Sequence, residues 1–222
     1  MSSNIKNKKK SGFPIFVLIA AALLLIAVIL AAVFFSSYFG VVHFTSDSGG
    51  TSVYDKRSGI TYNIAPMCYQ PVKFKNDKEY GIYKDTEFYR VSGVDPTLIL
   101  TTDNDNIYDV YYNIEHPLPT LGNFKVDIAL ICEVGLIAIP TGALNNEAAN
   151  KAAELIVNGE QCDMPYGIIQ DSVVYLYFTS TEYDYLYYYI QYFRTEDGGR
   201  YLMDRSFDRC VNIGDELSDF LE

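Results

Sequence analysis

Residues 13–35 read FPIFVLIAAALLLIAVILAAVFF, a run without a charged or strongly polar side chain. As a helix rising about 1.5 Å per residue, such a run spans roughly 34 Å, enough for the hydrocarbon core of a bilayer. Pro14 falls in the first turn, where its missing N–H costs little. Nothing later in the chain is as long and as apolar, so the sequence predicts one transmembrane helix. A cleaved signal peptide is the competing possibility. The run is longer than the apolar part of such a peptide, however, and FFSSYFGVVHF after it offers no small-x-small cleavage site. The expectation is an uncleaved signal anchor, with the lipid bilayer as partner through residues 13–35.

Charge gives the orientation. Lys6, Lys8, Lys9 and Lys10 precede the run, and no basic cluster follows it closely. Positive segments stay on the cytoplasmic side. Residues 1–12 are therefore expected as a cytoplasmic tail, 36–58 as a small, polar tether, and 59–222 as one extracytoplasmic domain of a single-pass cell-membrane protein. Removing the four lysines from 17 basic residues leaves 13 against 28 acidic ones, a net charge of −15 for the exported part. That surface repels nucleic acid and anionic headgroups, so no nucleic-acid partner is expected. It also keeps a domain soluble, which is sufficient reason for it.

All four cysteines, Cys68, Cys132, Cys162 and Cys210, lie in the exported part. Outside the cytoplasm they permit two disulfides in any of three connectivities, or none. No CxxC pair signals a zinc ribbon or a thioredoxin-type site, and no exported asparagine begins an N-x-S/T sequon.

Beyond the tether, short alternating runs predict an antiparallel sheet. GITYNIA and QPVKFK read as strands, and EYGIYKDTEFYRVSG as a strand-like run ending at a glycine. VDPTLILTTDNDNIYDVYYNI gives two strands around a polar turn. KVDIALICEVGLIAIPTG gives a pair split near Glu133–Gly135. The period then changes. In LNNEAANKAAELIVNGE, Ala148, Ala149, Ala152, Leu155 and Ile156 share one helical face, with Asn145 or Asn146 as N-cap and Gly159 as the stop. One main helix near 145–158 follows. DSVVYLYFTS, EYDYLYYYIQYF and GRYLMDRSF resume the strands, with Asp197-Gly198 as a hairpin turn and GDELSDFLE as a short last helix. The fold class is α+β.

The run at 183–193, YDYLYYYIQYF, is the feature closest to a functional clue. Strand side chains alternate between faces. Leu186, Tyr188, Ile190 and Tyr192 share one face with Leu176 and Phe178 of the preceding strand. Tyr183, Tyr185, Tyr187 and Tyr189 share the other with Tyr175 and Tyr177. The second face is either packed under a helix or loop, or displayed to grip a surface protein or a cell-wall partner, since tyrosine suits interfaces. The absence of tryptophan weakens a sugar-stacking version.

Signs of chemistry are few. TLILTT at 97–102 lacks the cysteine of a sortase TLxTC motif, and no GxSxG, HExxH, P-loop or GxGxxG occurs. His116 with one of the cysteines is the one conceivable nucleophile and base, although a loop histidine before Pro117 needs no such role. Asp103, Asp105 and Asp109 could face calcium, but they lack the glycine and terminal glutamate of an EF-hand loop. No cofactor is expected. Gly12-Phe13 after lysines and before a long apolar helix resembles a prepilin cleavage site, which implies a pilin-like subunit. Pilins carry a glutamate where this chain has Val17, and the helix is expected to break at SSYFG. In general style the chain resembles anchored ectodomains of Gram-positive bacteria, implying a cell-surface setting. The expected function is a membrane-anchored binding module.

Overall fold

The computed structural model describes residues 15–46, 51–103, 108–133 and 139–221, with the side chains of 15–18, 33–39 and 74–78 outside that set. The basic tail, Asp105 and the break near Gly135 fall outside the described residues. The chain divides into two compact units, Met1–Val41 and Val42–Glu222. Most of the described structure is β-sheet with few helices, an α+β arrangement.

In the first unit, α1 runs unbroken over Ile15–Gly40. Over residues 19–32, leucine, isoleucine, valine and alanine surround its axis with no polar face. Its described side chains cover only 19–32, and among the described residues no helix is long and apolar enough to cross a membrane. The helix does not stop at Phe35. Ser36–Gly40 continue it, so the expected break at SSYFG is absent.

The second unit begins earlier than predicted. Its first half carries β1 (Val42–His43), β2 (Ser52–Asp55), β3 (Ile60–Ile64), β4 (Tyr69–Pro71), β5 (Phe74–Tyr83), β6 (Thr86–Val91), β7 (Ile99–Thr102) and β8 (Val110–Asn113). β1 and β2 lie in the stretch expected to be a tether. They are short and polar in part, and they form because partner strands satisfy their backbone groups. Seven of these strands make one sheet in the order β1-β5-β6-β7-β8-β3-β2. β1 pairs with β5 in parallel, and every other pair in this sheet is antiparallel. Thr45 and Tyr54 then exchange backbone hydrogen bonds of 3.0 and 2.7 Å, joining the two ends of the sheet. The result is a small barrel filled by Val42, Phe44, Val53, Tyr62, Tyr80, Phe88, Leu100 and Tyr111. Gly81 lets β1 lie this close to β5: a Cβ there would sit 2.4 Å from Phe44 Cε2 and 2.8 Å from the Val42 carbonyl oxygen.

The second half contains β9 (Val126–Glu133), β10 (Pro140–Leu144), α2 (Asn146–Asn158), β11 (Gln161–Cys162), β12 (Val174–Ser180), β13 (Leu186–Arg194), β14 (Arg200–Asp204), β15 (Arg209–Asn212) and the short α3 (Ser218–Leu221). The strands form a second antiparallel sheet, β10-β9-β12-β13-β14-β15-β11, and β4 pairs with the start of β13. The single sheet expected from sequence is thus two.

α2 has the predicted boundaries. The Asn145 side chain accepts from the Ala148 N–H at 2.9 Å, and the Gly159 N–H closes on the Leu155 carbonyl at 2.8 Å. Its buried face is Ala148, Ala149, Ala152, Ala153 and Ile156, small enough for the helix to lie close against β9, β14 and β15. Arg209 on β15 holds the other end. Its Nε donates to the Ile156 carbonyl, and its Nη2 to those of Val157 at 3.1 Å and Gly159 at 2.7 Å. The core under α2 takes Leu176, Phe178, Leu186, Tyr188, Ile190, Tyr192 and Leu202 from the sheet, and Val91, Ile99 and Val110 from the barrel strands. This is the face of β12 and β13 that alternation assigned to the core.

Candidate functional site: the tyrosine face

The opposite face of the same two strands carries the tyrosines. β12 and β13 pair so that Tyr177 stands opposite Tyr189 and Tyr175 opposite Gln191. Four rings form one cluster: Tyr177–Tyr189 at 5.2 Å between centroids, Tyr175–Tyr189 and Tyr177–Tyr187 at 5.7 Å, and Tyr175–Tyr177 at 6.4 Å. Edge-on and tilted geometries at these distances suit the ring quadrupoles. All four are half-buried, each ring shielding its neighbours. α2 packs on the other side of the sheet, so it does not cover this patch. Burial raises the phenols of Tyr177, Tyr187 and Tyr189 above their ordinary value.

Tyr183 and Tyr185 do not belong to the patch. β13 begins only at Leu186, and residues 181–185 form a turn in which strict alternation does not hold. Tyr183 stacks on Phe124 at 5.7 Å with the rings 12° from parallel, and both Tyr183 and Tyr185 pack against the core beneath α2. Six predicted site tyrosines therefore divide into four on the open face and two on the core side.

The patch continues into a groove of about 300 Å³ past Tyr175, whose walls include Met164, Ile168, Gln191, Phe193 and Arg205. The segment before β12 forms one side. It is fixed by the Ile169 N–H on the Arg194 carbonyl at 2.9 Å and the Arg194 N–H on Ser172 Oγ at 2.8 Å. Arg205 Nε donates to Gln191 Oε1 at 2.5 Å, placing a guanidinium at the groove wall. Tyr166, on the same segment, is 97% exposed. Gln191 belongs to the tyrosine run itself, whereas nothing in the local sequence pattern marks Met164 or Arg205 as its neighbours.

A second polar constellation lies inside the core. The Tyr188 hydroxyl donates to Asp204 Oδ2, the Ser206 N–H donates to Asp204 Oδ1 at 2.9 Å, and the Cys68 N–H donates to Ser206 Oγ at 2.8 Å. A cavity of about 240 Å³, lined by Leu121, Ile156, Tyr188, Asp204, Phe207 and Arg209 among others, opens beside it. Burial pushes the Asp204 carboxyl up and the Cys68 thiol up to about 11. These groups tie β13, β14 and the lead-in to β4 together across long sequence separations, which periodicity cannot report.

The cysteine–histidine pairing is not assembled. His116 lies exposed in the turn after β8, its own N–H on the Asn113 carbonyl at 2.9 Å, and among the described residues no hydrogen bond joins it to a cysteine. Burial pushes Cys210 up to about 12 and raises Cys132 as well. A thiolate nucleophile needs the opposite shift. Among the described residues no group of three or more His, Cys, Asp or Glu side chains is placed to hold a metal ion. Compared with protein-family models, curated proteins and solved structures, the chain matches none.

Proposed function

We propose that the chain is a membrane-anchored, extracytoplasmic binding module that engages a partner protein through the tyrosine face. The observation that carries this is the joined patch of Tyr175, Tyr177, Tyr187 and Tyr189 on the side of the sheet away from α2, extended by the groove at Arg205. Tyrosine, methionine and arginine are the residues that interface centres favour, and Met164 and Arg205 of the groove add to the four rings. A protein partner fits better than a glycan, for which tryptophan would be the stronger stacking surface. The uncharged run at 13–35, the helix described from Ile15 onward and the four preceding lysines support the anchor and its direction.

A photo-crosslinking residue at Tyr187 or Tyr175 of the full chain, in its native cells, tests the face. A discrete protein adduct is expected there and not from Tyr54, an exposed control on the barrel. Equal labelling at all three positions, or none, sinks the proposal. Separately, the chain should resist alkaline carbonate extraction from membranes, with its C-terminal part digestible from outside intact cells. Release into the carbonate supernatant would remove the anchor.

A pilin-like subunit is the second possibility, favoured by α1 running through Ser36–Gly40 without the expected break. It requires cleavage after Gly12. The intact mass of the mature chain distinguishes a Phe13 N-terminus from an uncut one.

A further inference from the structure

We infer that Cys162 and Cys210 form a disulfide that fastens the outermost strand β11 to β15. The two residues are direct partners in the antiparallel register, Cys162 opposite Cys210 and Gln161 opposite Val211. Directly opposed residues in such a ladder have Cα atoms about 4.5–5.5 Å apart, inside the range of about 4.4–6.8 Å that a disulfide bridges. Both side chains point the same way from the sheet, and the Cys162 thiol reaches the Cys210 carbonyl oxygen at 3.5 Å. The two thiols also lie within hydrogen-bonding reach of one another. Both are reduced in this structure.

The other two cysteines have no such relationship. Cys132 is on β9, and the Cys68 carbonyl accepts from the Tyr189 N–H beyond β13. With β12 and β13 between them, they are separated by about three strand spacings, roughly 14 Å, too far to bridge. Of the three connectivities open in the sequence, the register selects one pair and leaves two buried thiols.

Oxidation proceeds by exchange with a low-molecular-weight disulfide such as glutathione disulfide. Cys162 is the more exposed of the pair and attacks first. Its thiolate forms a mixed disulfide and expels one glutathione thiolate, which takes up the proton Cys162 gave up. The Cys210 thiolate then attacks the Cys162 sulfur and expels the second glutathione, which takes up the second proton. Two protein thiols lose two electrons, and one glutathione disulfide becomes two glutathione thiols. This chemistry does not depend on the tyrosine face having a partner.

The test uses the full chain in detergent micelles. It is incubated with glutathione disulfide, alkylated under denaturing conditions, digested and mapped by mass spectrometry. The expected product is a peptide joining Cys162 to Cys210, lighter than its reduced halves by about 2 Da, with Cys68 and Cys132 fully alkylated. In Cys162→Ser the Cys210 thiol should resist glutathione, because it is buried. Recovery of Cys162 and Cys210 as free or separately glutathionylated thiols, or a bridge to Cys68 or Cys132, overturns the inference.

Discussion

The Tyr188 hydroxyl donates a hydrogen bond to Asp204 Oδ2 inside the core, where Asp204 is only 4% exposed. Burial raises the Asp204 carboxyl, and the hydrogen bonds from Tyr188 and from the Ser206 and Phe207 N–H groups only partly oppose it. A carboxyl raised on folding takes up a proton between its ordinary value, about 4, and its folded value. Its contribution to stability is therefore complete below about pH 4 and is lost as pH rises through the folded value. Urea unfolding of the full chain should show this loss, and Asp204→Asn should flatten the curve over the same window. Identical slopes for the two proteins would refute the assignment. Tyr188→Phe, which removes the hydroxyl donor, should cost about 1–3 kcal/mol at neutral pH.

The two faces of β13 should differ in chemical reactivity. Under limited iodination with peptide mapping, Tyr166 is expected to label first and Tyr175, Tyr187 and Tyr189 more slowly. Tyr62, Tyr188 and Tyr192, each at most 2% exposed, should label only on unfolding. Labelling of Tyr188 at the rate of Tyr187 would mean that the strand faces are wrongly assigned.

The barrel depends on Gly81. A methyl group there meets the Val42 carbonyl oxygen, which cannot rotate away, so Gly81→Ala should cost about 2 kcal/mol as an overpacking change. Gly142→Ala is the control. Its added carbon would meet Ile131 at an ordinary 3.5 Å, and the change should stay within about 0.5 kcal/mol. Thermal melts of both variants decide the matter, and equal losses would contradict the close approach.

Arg209 binds three carbonyls at the end of α2, where the helix dipole also favours a cation. Arg209→Ala should cost about 1–2 kcal/mol by denaturant titration, because those carbonyls lose their donors. Lysine keeps the charge but lacks the planar fork, so Arg209→Lys should restore less than half of the loss. Full rescue by lysine would assign the effect to charge alone.

Local signals in the sequence match what was built locally. α2 follows from alanine spacing, an Asn145 cap and a Gly159 stop. The hairpin after β13 follows from Asp197-Gly198, with Gly198 at φ +88°. Elements created by distant partners were not legible. β1 has two residues and exists because β5 accepts it and Gly81 leaves room. The run EYGIYKDTEFYRV folds back on itself at Lys84, which takes φ +53° without the glycine or asparagine that usually marks such a turn. Tyr183 changed sides because alternation was extended into a turn. The patch itself was legible in four of its rings, while Met164 and Arg205 line the adjoining groove from segments outside the two tyrosine strands.

The bond pair between Thr45 and Tyr54 leaves the barrel without an outer strand. An exposed outer strand is the template on which β-proteins polymerise. Among the described strands, fibre growth then has to start in the other sheet, at β10, at β11 or at β4, which closes on Pro71. β10 opens with Pro140, which has no N–H to offer an incoming chain, and β11 is two residues long. Identical domains brought close together are thereby kept from zipping into one another.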